Sequence, residues 1–283
     1  MPELPEVETM RRDLGPLLLG RRIERVRAYH DDLILGGMTP SAFRRAVRGR
    51  TFGPVGRRAK YLLFPLHAPG DVQDPPECLM RVQVRMTGRF AVAVNRPDSS
   101  EFRHPGIDIA LDDGRTLYYD DVRRLGGFDV LTPEAWKARA AELGPEPLDR
   151  SFRAATFARI LTPLRAPIKN VLLDQRRLAG LGNIYASEAL YRARIDPRRP
   201  AGSLEMTETR RLHRAVRAVL RDALDSAGTT LRDYRAVNGR SGSFQTRLLV
   251  YQREGAACPG CGRPVVRIVQ AGRSSFFCPN CQR

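Results

Sequence analysis

Hydrophobic residues recur with helical spacing at the start of the chain and then change to a strand-like pattern. The apolar residues that carry the helical period are Leu4, Val7, Leu14, Leu17 and Leu18. Gly20 follows them and is typical of a helix end, so we predict one helix over residues 1–20. From about residue 22 to residue 130 the apolar residues form short continuous or alternating runs, which are typical of strands.

The strand-like runs follow one another at short intervals. They are Tyr61–Phe64, Leu79–Val84, Phe90–Val94, Ile107–Leu111 and Thr116–Tyr119. The last two flank the turn sequence Asp112-Asp113-Gly114-Arg115, and this arrangement predicts a β-hairpin. Short strands at such spacing indicate an antiparallel β-sandwich.

Helical spacing returns in the second half of the chain. Gly144-Pro145-Glu146-Pro147 breaks the pattern, and we expect a domain boundary near 144–150. An apolar stripe then predicts a helix that Gly228 ends; its residues are Leu212, Val216, Val219, Leu220, Ala223 and Leu224. Residues 229–247 are rich in Gly, Ser and Arg and predict a long loop.

Length and composition indicate a globular protein that is long enough for two domains. The chain has 283 residues, of which 42% are hydrophobic. No apolar run approaches the roughly 20 residues of a membrane span, so we expect no membrane association. Acidic residues come first and no apolar segment follows them, which argues against a signal peptide and for a cytoplasmic location.

The charge of the chain points to an anionic partner. The net charge is +17, and phosphate neutralisation dominates nucleic-acid affinity, so a nucleic acid is the natural candidate. A basic, GC-biased proteome is the alternative explanation. Only Lys60, Lys137 and Lys169 among the 48 basic residues are lysines. These three merit attention because arginine cannot deprotonate to act as an acid or base.

Four of the five cysteines form a metal-binding pattern at the end of the chain. Cys258-Pro-Gly-Cys261 and Cys278-Pro-Asn-Cys281 have the spacing of a tetrahedral four-thiolate zinc site. Disulfides are the alternative, which a reducing cytoplasm disfavours. Four thiolates leave no open position, so the expected zinc is structural. The intervening residues predict a hairpin with Arg273 near its tip, while Cys78 is expected to be a buried bystander.

A glycine-rich segment links two predicted helices. Pro167–Leu173 predicts a short helix with proline at its start, and the sequence Ala179-Gly-Leu-Gly-Asn183 follows it. The glycines predict tight turns, and Asn183 is expected to cap the next helix. Backbone amides at such a helix start can bind phosphate, although a plain helical hairpin would have the same pattern.

The N-terminus combines a proline with several acids, in the order Pro2-Glu3-Leu4-Pro5-Glu6-Val7-Glu8. If Met1 is removed, Pro2 carries a free secondary amine. An α-amino group has a pKa of about 7.7–8.0, so part of it is unprotonated at neutral pH and can attack an aldehyde-like carbon. The alternative is a helix start with acids near the positive end of the helix dipole.

These motifs together resemble the formamidopyrimidine-DNA glycosylase family, bacterial enzymes that excise 8-oxoguanine and cleave abasic sites. The resemblance rests on five segments that run in order along the whole chain, namely residues 2–8, 58–63, 86–88, 182–188 and the four-cysteine tail. It implies an α+β fold with an N-terminal antiparallel β-sandwich flanked by helices, a helical helix-two-turn-helix domain and a β-hairpin zinc finger. The implied domains are a catalytic domain over 1–145, a DNA-binding domain over 151–235, and a lesion-covering loop with the zinc finger over 236–283.

The resemblance also implies catalytic roles. Pro2 matches the nucleophile that displaces the base, and Glu3 the acid–base residue. Lys60 matches the lysine that contacts phosphate and assists elimination, and Arg273 a residue of δ-elimination. Glu6 and Glu188 match acids that organise the site, although Glu188 could also be a carboxylate near the start of a helix. The residues of the implied DNA contact set are Met86, His104, Arg123, Leu125, Arg165, Lys169, Asn183 and Arg273.

Three positions depart from the family pattern. Gln83 stands where a phosphate-contacting histidine is usual, Arg85 where glycine is usual, and Leu125 where a phenylalanine is usual. Met86, Arg123 and Leu125 match the residues that fill the space left by the extruded base, although core packing would otherwise explain the two apolar ones. Leucine stacks less well than phenylalanine, so we expect altered lesion probing or opposite-base preference.

The expected protein is thus a monomeric bifunctional glycosylase/AP lyase for oxidised purines, acting on double-stranded DNA in the bacterial cytoplasm and nucleoid. It is expected to need one zinc ion, held by Cys258, Cys261, Cys278 and Cys281, and no organic cofactor. One alternative is an endonuclease VIII-like enzyme for oxidised pyrimidines, against which Leu4 argues, since that branch resembles Pro-Glu-Gly at its start. The other is a non-catalytic zinc-finger DNA-binding protein, against which Pro2, Glu3 and Lys60 argue together.

Overall fold

The computed structural model describes residues 2–69, 72, 74–97, 102–229, 237 and 242–283. These residues form two compact units. Unit 1 comprises the described residues of Met1–Ala141 and Ala227–Ser243, and unit 2 those of Glu142–Ser226 and Phe244–Arg283. The short segment 227–243 thus groups with the N-terminal part of the chain.

Unit 1 contains three α-helices and nine strands among its described residues. The helices are α1 (Leu4–Leu18), α2 (Pro40–Val47) and α3 (Pro133–Ala141). The strands are β1 (Ile23–Ala28), β2 (Thr51–Phe52), β3 (Gly56–Arg58), β4 (Tyr61–His67), β5 (Cys78–Gln83), β6 (Gly88–Ala93), β7 (Pro105–Leu111), β8 (Thr116–Asp121) and β9 (Gly127–Leu131). A 3₁₀ turn covers Asp31–Leu33.

The predicted N-terminal helix is confirmed over Leu4–Leu18. Its buried face follows the predicted spacing and includes Met10 in addition to Leu4, Val7, Leu14 and Leu18. Leu17 is only partly buried. Gly20 follows the helix with a φ of +74°, a conformation that glycine adopts without steric cost.

The strands form the expected antiparallel sandwich. One sheet has the order β1-β7-β8-β6, and the other has the order β2-β4-β5-β9 with β3 beside β4. The predicted hairpin is confirmed as β7–β8, where Ile107 lies opposite Tyr119. Tyr119 from one sheet packs edge-on against Phe128 from the other, with ring centroids 4.8 Å apart, so the core lies between the two sheets.

One helix in this region was not predicted. The sequence between residues 22 and 130 indicated strands only, yet Pro40–Val47 forms α2. Thr39 caps it by accepting a hydrogen bond from the Ala42 amide at 3.2 Å. Only Phe43 and Val47 are buried on this helix, and two apolar positions are too few for a visible period.

Unit 2 is helical with one small sheet. Its helices are α4 (Ala154–Leu161), α5 (Ile168–Leu173), α6 (Asn183–Arg192) and α7 (Met206–Asp225), and 3₁₀ turns cover Ala201–Ser203 and Phe244–Arg247. The predicted stripe of α7 is buried at Leu212, Val216, Val219, Leu220 and Ala223. β10 (Val266–Gln270) and β11 (Arg273–Phe277) form the predicted C-terminal hairpin.

None of the helices among the described residues combines the length and the apolar character that crossing a bilayer requires.

Candidate functional site

The first turn of α1 holds Pro2, Glu3 and Glu6 together. Pro2 and Glu3 are buried, and Glu3 is the residue that precedes the helix. One oxygen of the Glu6 carboxylate accepts from the Glu3 amide at 2.8 Å, the Glu6 half of a capping box. The other accepts from the Thr229 amide at 2.8 Å. Glu6 therefore connects the backbone beside Pro2 to the second chain segment of unit 1, which begins at Ala227.

Lys60 lies in the turn between β3 and β4, and an ion pair ties this turn to α1. Arg57 donates from Nε to Glu8 at 3.0 Å and from Nη1 to the Ala59 carbonyl oxygen at 3.0 Å. Arg11 binds the same carboxylate. Burial raises the pKa of Glu8, but the hydrogen bonds from Arg11 and Arg57 outweigh it and lower the pKa to about 2. The helix that begins beside Pro2 thus also positions Lys60.

A buried carboxylate organises the loops that carry Met86, Arg123 and Leu125. Asp121 is 1% exposed and accepts hydrogen bonds from the Thr87 hydroxyl, the Tyr119 hydroxyl at 3.1 Å and the Gly126 amide at 2.8 Å. The Arg123 amide donates to it at 3.3 Å. These bonds join the loop after β5 to the loop after β8.

The hydrogen bond between Tyr119 and Asp121 requires glycine at positions 88 and 126. A Cβ atom on Gly88 would lie 2.2 Å from the Tyr119 hydroxyl, and one on Gly126 would lie 1.9 Å from it. No real Cβ approaches an oxygen so closely. The two glycines therefore allow Tyr119 to reach Asp121, and this close packing fixes both loops.

The side chains presented by these loops point outward. Met86 is 40% exposed and Leu125 is 43% exposed, which excludes the core-packing alternative for both. Arg123 is exposed and donates from Nη1 to the Met86 sulfur at 3.4 Å. The structure therefore brings this predicted trio to the surface of unit 1.

The departure at Arg85 has a backbone consequence. Arg85 has a φ of +56°, in the left-handed region where glycine avoids the Cβ penalty. The positive φ explains why glycine is usual here, and this chain adopts that backbone conformation with an arginine.

The side chain of His104 is exposed, but its backbone is fixed. Its amide donates to the Asp120 carboxylate, and its carbonyl oxygen accepts from the Asp121 amide at 3.1 Å.

In unit 2, Lys169 and Asn183 meet at β11. Lys169 is 1% exposed and donates from Nζ to the Ser274 carbonyl oxygen at 2.8 Å and to the Ser275 hydroxyl at 2.6 Å. Asn183 donates from Nδ2 to the same Ser274 carbonyl at 3.0 Å. The next residue toward the turn is Arg273, whose side chain is exposed. Both polar side chains thus fix the strand that carries Arg273.

The expectation that Asn183 caps α6 is wrong. Gly182 is the capping residue, and Asn183 is the first residue of the helix. Its amide group is directed to Ser274 instead of the helix amides. Tertiary contact with the hairpin has thus overridden the local preference of asparagine for the cap.

Arg273 lies beside the turn of the C-terminal hairpin, as predicted. Gln270 pairs with Arg273, and the two residues between them, Ala271 and Gly272, both have positive φ, as in the tight turns that join antiparallel strands. Arg165 is exposed in the connection between α4 and α5. The loop predicted over residues 229–247 lies partly outside the described residues.

Glu188 is buried on α6 and binds three consecutive backbone amides. It is 0% exposed, and its oxygens accept from the amides of Leu249, Val250 and Tyr251 at 2.9–3.1 Å. Three such bonds satisfy a carboxylate that burial would otherwise destabilise. Glu188 lies in the second turn of α6, so the helix-start alternative does not account for its position.

The four cysteines of the C-terminal pattern converge as a metal site requires. Their sulfurs all lie within 4.8 Å of one another, with Cys258 and Cys281 3.9 Å apart and Cys261 and Cys278 3.5 Å apart. A tetrahedral zinc site with Zn–S bonds of about 2.3 Å places sulfurs about 3.8 Å apart. The observed separations therefore fit one zinc ion with four thiolate ligands.

Tyr191 adds a contact to this centre that the sequence did not indicate. Its hydroxyl lies 3.3 Å from the Cys258 sulfur, and the Gly260 amide donates to that sulfur at 3.4 Å. Burial raises the pKa of Cys258, but these hydrogen bonds outweigh it and lower the pKa to about 6. A thiolate is therefore favoured at this ligand.

Family models match most of the chain. Residues 1–128 match the formamidopyrimidine-DNA glycosylase N-terminal domain, and residues 143–235 match the formamidopyrimidine-DNA glycosylase H2TH domain. Residues 255–283 match the zinc finger found in FPG and IleRS.

Similar proteins and structures cover the whole chain. A formamidopyrimidine-DNA glycosylase of Heliobacterium modesticaldum is 43% identical, with 100% of each chain covered. The crystal structure of the MutM (FPG) protein from Thermus thermophilus is 43% identical with a TM-score of 0.85, covering 99% of this chain and 98% of that one. The Lactococcus lactis Fpg in complex with DNA containing an abasic site is 31% identical with a TM-score of 0.88, covering 99% of each chain.

Proposed function

Because the chain belongs to the formamidopyrimidine-DNA glycosylase family, it is a DNA glycosylase and AP lyase of base-excision repair acting on oxidised purines, and we propose that Pro2 is its nucleophile. The observation that carries the assignment to Pro2 is the α1 start. There Pro2, Glu3 and Glu6 form one buried, hydrogen-bonded turn, linked through Glu8 and Arg57 to the turn of Lys60.

In the first chemical step, a bond from C1′ to the Pro2 nitrogen replaces the bond from C1′ to the base. Removal of Met1 frees the Pro2 nitrogen, which attacks C1′ of the damaged nucleotide. The bond between C1′ and the base breaks, its electron pair leaves with the base, and the base takes up a proton. Glu3 is the acid–base residue that assists opening of the sugar ring, and an iminium then joins Pro2 to the sugar.

Strand cleavage follows from the iminium. Its positive charge acidifies the hydrogen on C2′, so a base removes that proton and the 3′ phosphate leaves by β-elimination. A second proton loss expels the 5′ phosphate by δ-elimination. Lys60 contacts phosphate and assists elimination, and Arg273 acts in the δ step. Hydrolysis of the iminium finally returns the free Pro2 amine.

The partner is double-stranded DNA with an oxidised base or an abasic site. Structures similar to this chain include a Lactococcus lactis FPG variant in complex with a Fapy-dG containing DNA, 31% identical with a TM-score of 0.89, covering 100% of each chain. The base must leave the stack before its sugar carbon is accessible. Met86, Arg123 and Leu125 fill the space that the base leaves. The residues that contact the phosphate backbone are His104, Arg165, Lys169, Asn183 and Arg273. Lys169 and Asn183 also hold the strand that carries Arg273.

Zinc, when bound by the four cysteines, supplies the cross-link that holds the C-terminal module together.

We propose three functional domains: a catalytic domain over 1–145, a DNA-binding domain over 151–235, and a lesion-covering loop with the zinc finger over 236–283. A monomer in the cytoplasm, associated with the nucleoid, fits a protein that acts on chromosomal DNA.

Reductive trapping tests the nucleophile. Borohydride reduces the iminium, so wild-type protein with an 8-oxoguanine duplex should give a covalent adduct, and proteolysis with mass spectrometry should locate the DNA on Pro2 of a chain lacking Met1. Glu3→Gln should form much less adduct from 8-oxoguanine, while Glu24→Gln, at an exposed acid on β1, should match wild type. Absence of any adduct would falsify the lyase assignment.

A further inference from the structure

We propose that unit 1 carries a second DNA-binding surface in an arginine-lined groove between β1 and α2, which holds the phosphate backbone of an undamaged duplex segment. This β1–α2 groove has a volume of about 490 Å³. Its lining residues are Arg25, Val26, Ser41, Arg44, Arg45 and Arg48. The inference goes beyond the glycosylase activity and does not depend on it.

The groove arises because β1 and α2 each bury their apolar side chains and expose their arginines. On β1, Val26 turns into the core while Arg25 and Arg27 are exposed. On α2, Phe43 and Val47 are buried. Arg44 and Arg45 on this helix are exposed, and so is Arg48, the residue that follows it. Both elements therefore present guanidinium groups to the same groove.

These guanidinium groups lack acidic partners within the part of the chain that the structure describes. Arg25, Arg44 and Arg45 form no ion pair there, and Arg48 donates only to the Glu24 carbonyl oxygen at 3.1 Å. Other arginines of unit 1 do pair with acids, as Arg81 does with Asp129 at 2.6 Å. The positive charge of the groove is thus left for an external anion.

The helix dipole explains only part of this arrangement. Arg44 and Arg45 lie in the last turn of α2, where cations are favourable. However, Arg44 and Arg48 are four residues apart, where like charges repel across one helical turn. Arg25 and Arg27 lie on a strand and gain nothing from a helix terminus. Binding of an anion would relieve the repulsion between Arg44 and Arg48.

The groove continues into a second cavity, which favours a polyanion over a single phosphate ion. This cavity has a volume of about 360 Å³, shares Arg25, Val26 and Arg44 with the groove, and extends to Arg27 and Tyr29. Its one acid, Asp108, is already bound by Arg96 and by the Tyr29 hydroxyl. A basic surface that extends over both cavities suits the repeated phosphates of a DNA strand, and phosphate contacts do not depend on sequence.

The surface is separate from the predicted lesion contacts of unit 1. Met86, Arg123 and Leu125 lie on loops after β5 and β8, and Lys60 lies between β3 and β4. None of these residues lines the groove or its extension. His104, a further predicted DNA contact of unit 1, lines neither cavity. The proposal therefore predicts that a protein bound at a lesion holds a second duplex at the same time.

Energy transfer between two duplexes tests the proposal. Full-length protein is saturated with a donor-labelled duplex bearing a tetrahydrofuran abasic analogue, and an acceptor-labelled undamaged duplex is then added. Transfer is expected for wild type. The triple variant Arg25→Gln/Arg44→Gln/Arg45→Gln should weaken binding of the undamaged duplex at least about tenfold, with a salt dependence shallower by about 2.7 in logarithmic slope.

A matched control separates the groove from overall charge. Arg12→Gln/Lys137→Gln/Arg139→Gln removes the same charge from exposed positions on α1 and α3, and it should change binding of the undamaged duplex less than about twofold. Absence of transfer with wild type, or equal losses in both variants, would overturn the proposal. If the groove variant does not fold, a photo-crosslinking benzoylphenylalanine at Ser41 decides: crosslinking to the undamaged duplex supports the proposal, and no crosslinking refutes it.

Failure of the glycosylase assignment would be distinguishable, since it would abolish borohydride trapping on Pro2 but leave the Ser41 crosslink intact.

Discussion

The Glu8 carboxylate and the Arg57 guanidinium form a largely buried ion pair of 3.0 Å that joins the helix beginning beside Pro2 to the turn carrying Lys60. Arg57 also donates to the Ala59 carbonyl oxygen, so the backbone immediately before Lys60 is fixed. The two proposed catalytic groups of unit 1 therefore share one structural support.

Replacing Arg57 by alanine should slow strand cleavage. The Lys60 turn would lose its connection to α1, and displacement of a reacting group by about 1 Å can cost about a hundredfold in rate. We expect a roughly 10- to 100-fold lower single-turnover rate on abasic-site DNA. Arg12→Ala removes an exposed partner of the same carboxylate and should change the rate less than about twofold. Equal rates for both variants would contradict the positioning role.

The same carboxylate should make stability depend on acid pH. The pKa of Glu8 is about 2 in the folded protein against 4.5 as the ordinary value, so its contribution is fully present above pH 4.5 and is lost as the pH falls toward 2. We expect Glu8→Gln to lower the free energy of unfolding by on the order of 2 kcal/mol at pH 7 and by about half that or less at pH 3.

Urea unfolding at several pH values measures this difference. Glu134→Gln, at an exposed acid on α3, should give a curve parallel to wild type. A Glu8→Gln deficit that persists unchanged at pH 3 would show that the lost contribution is not electrostatic.

Asp121→Asn should disturb the loops that present Met86 and Arg123. Every group that faces Asp121 in the described part of the structure is a donor, so an amide NH₂ in its place would meet other donors. We expect a loss of about 1–3 kcal/mol in the free energy of unfolding and weaker discrimination between lesion and undamaged DNA. Asp113→Asn in the exposed β7–β8 turn is the control and should cost less than about 0.5 kcal/mol.

Leu125→Phe should alter opposite-base preference. The side chain is exposed on the loop after β8, so the change adds an aromatic face without disturbing the core. Aromatic stacking contributes about 1–3 kcal/mol per base, and we expect the ratio of 8-oxoguanine excision opposite C to that opposite A to shift several-fold. Identical excision profiles for wild type and variant would rule out a role for this residue in reading the opposite base.

Tyr191→Phe should weaken zinc retention. The hydroxyl that bonds the Cys258 sulfur would be lost, and outer hydrogen bonds of this kind typically contribute roughly 10- to 100-fold to metal affinity. We expect faster zinc release to a chromogenic chelator. Tyr61→Phe, which removes a hydroxyl from unit 1, should leave the release rate unchanged. Similar release from both variants would limit Tyr191 to packing.

Periodic and closely spaced features of the sequence predicted much of the fold. The N-terminal helix, the β7–β8 hairpin and the four-cysteine cluster each depend on residues close together in the chain, so local pattern was sufficient. α2 was missed because Phe43 and Val47 are its only buried positions.

The supports of the candidate site could not be read from the sequence because they join distant residues. Thr87 and Asp121 are 34 positions apart, and Glu188 reaches amides 61–63 positions away. Lys169 illustrates the same difficulty, since the resemblance implies a DNA contact but does not indicate a buried side chain. The structure buries Lys169 against β11, and its hydrogen bond to the Ser274 carbonyl oxygen joins residues 105 positions apart.

The hydrogen bond from the Thr229 amide to Glu6 also bears on the order of biosynthesis. Its partners are 223 positions apart, so a ribosome must complete about four-fifths of the chain before the proposed nucleophile's turn can acquire its full set of bonds. Prematurely terminated chains that end before Thr229 lack this contact. A nascent or aborted product therefore lacks one of the backbone hydrogen bonds that hold the Glu6 carboxylate beside Pro2.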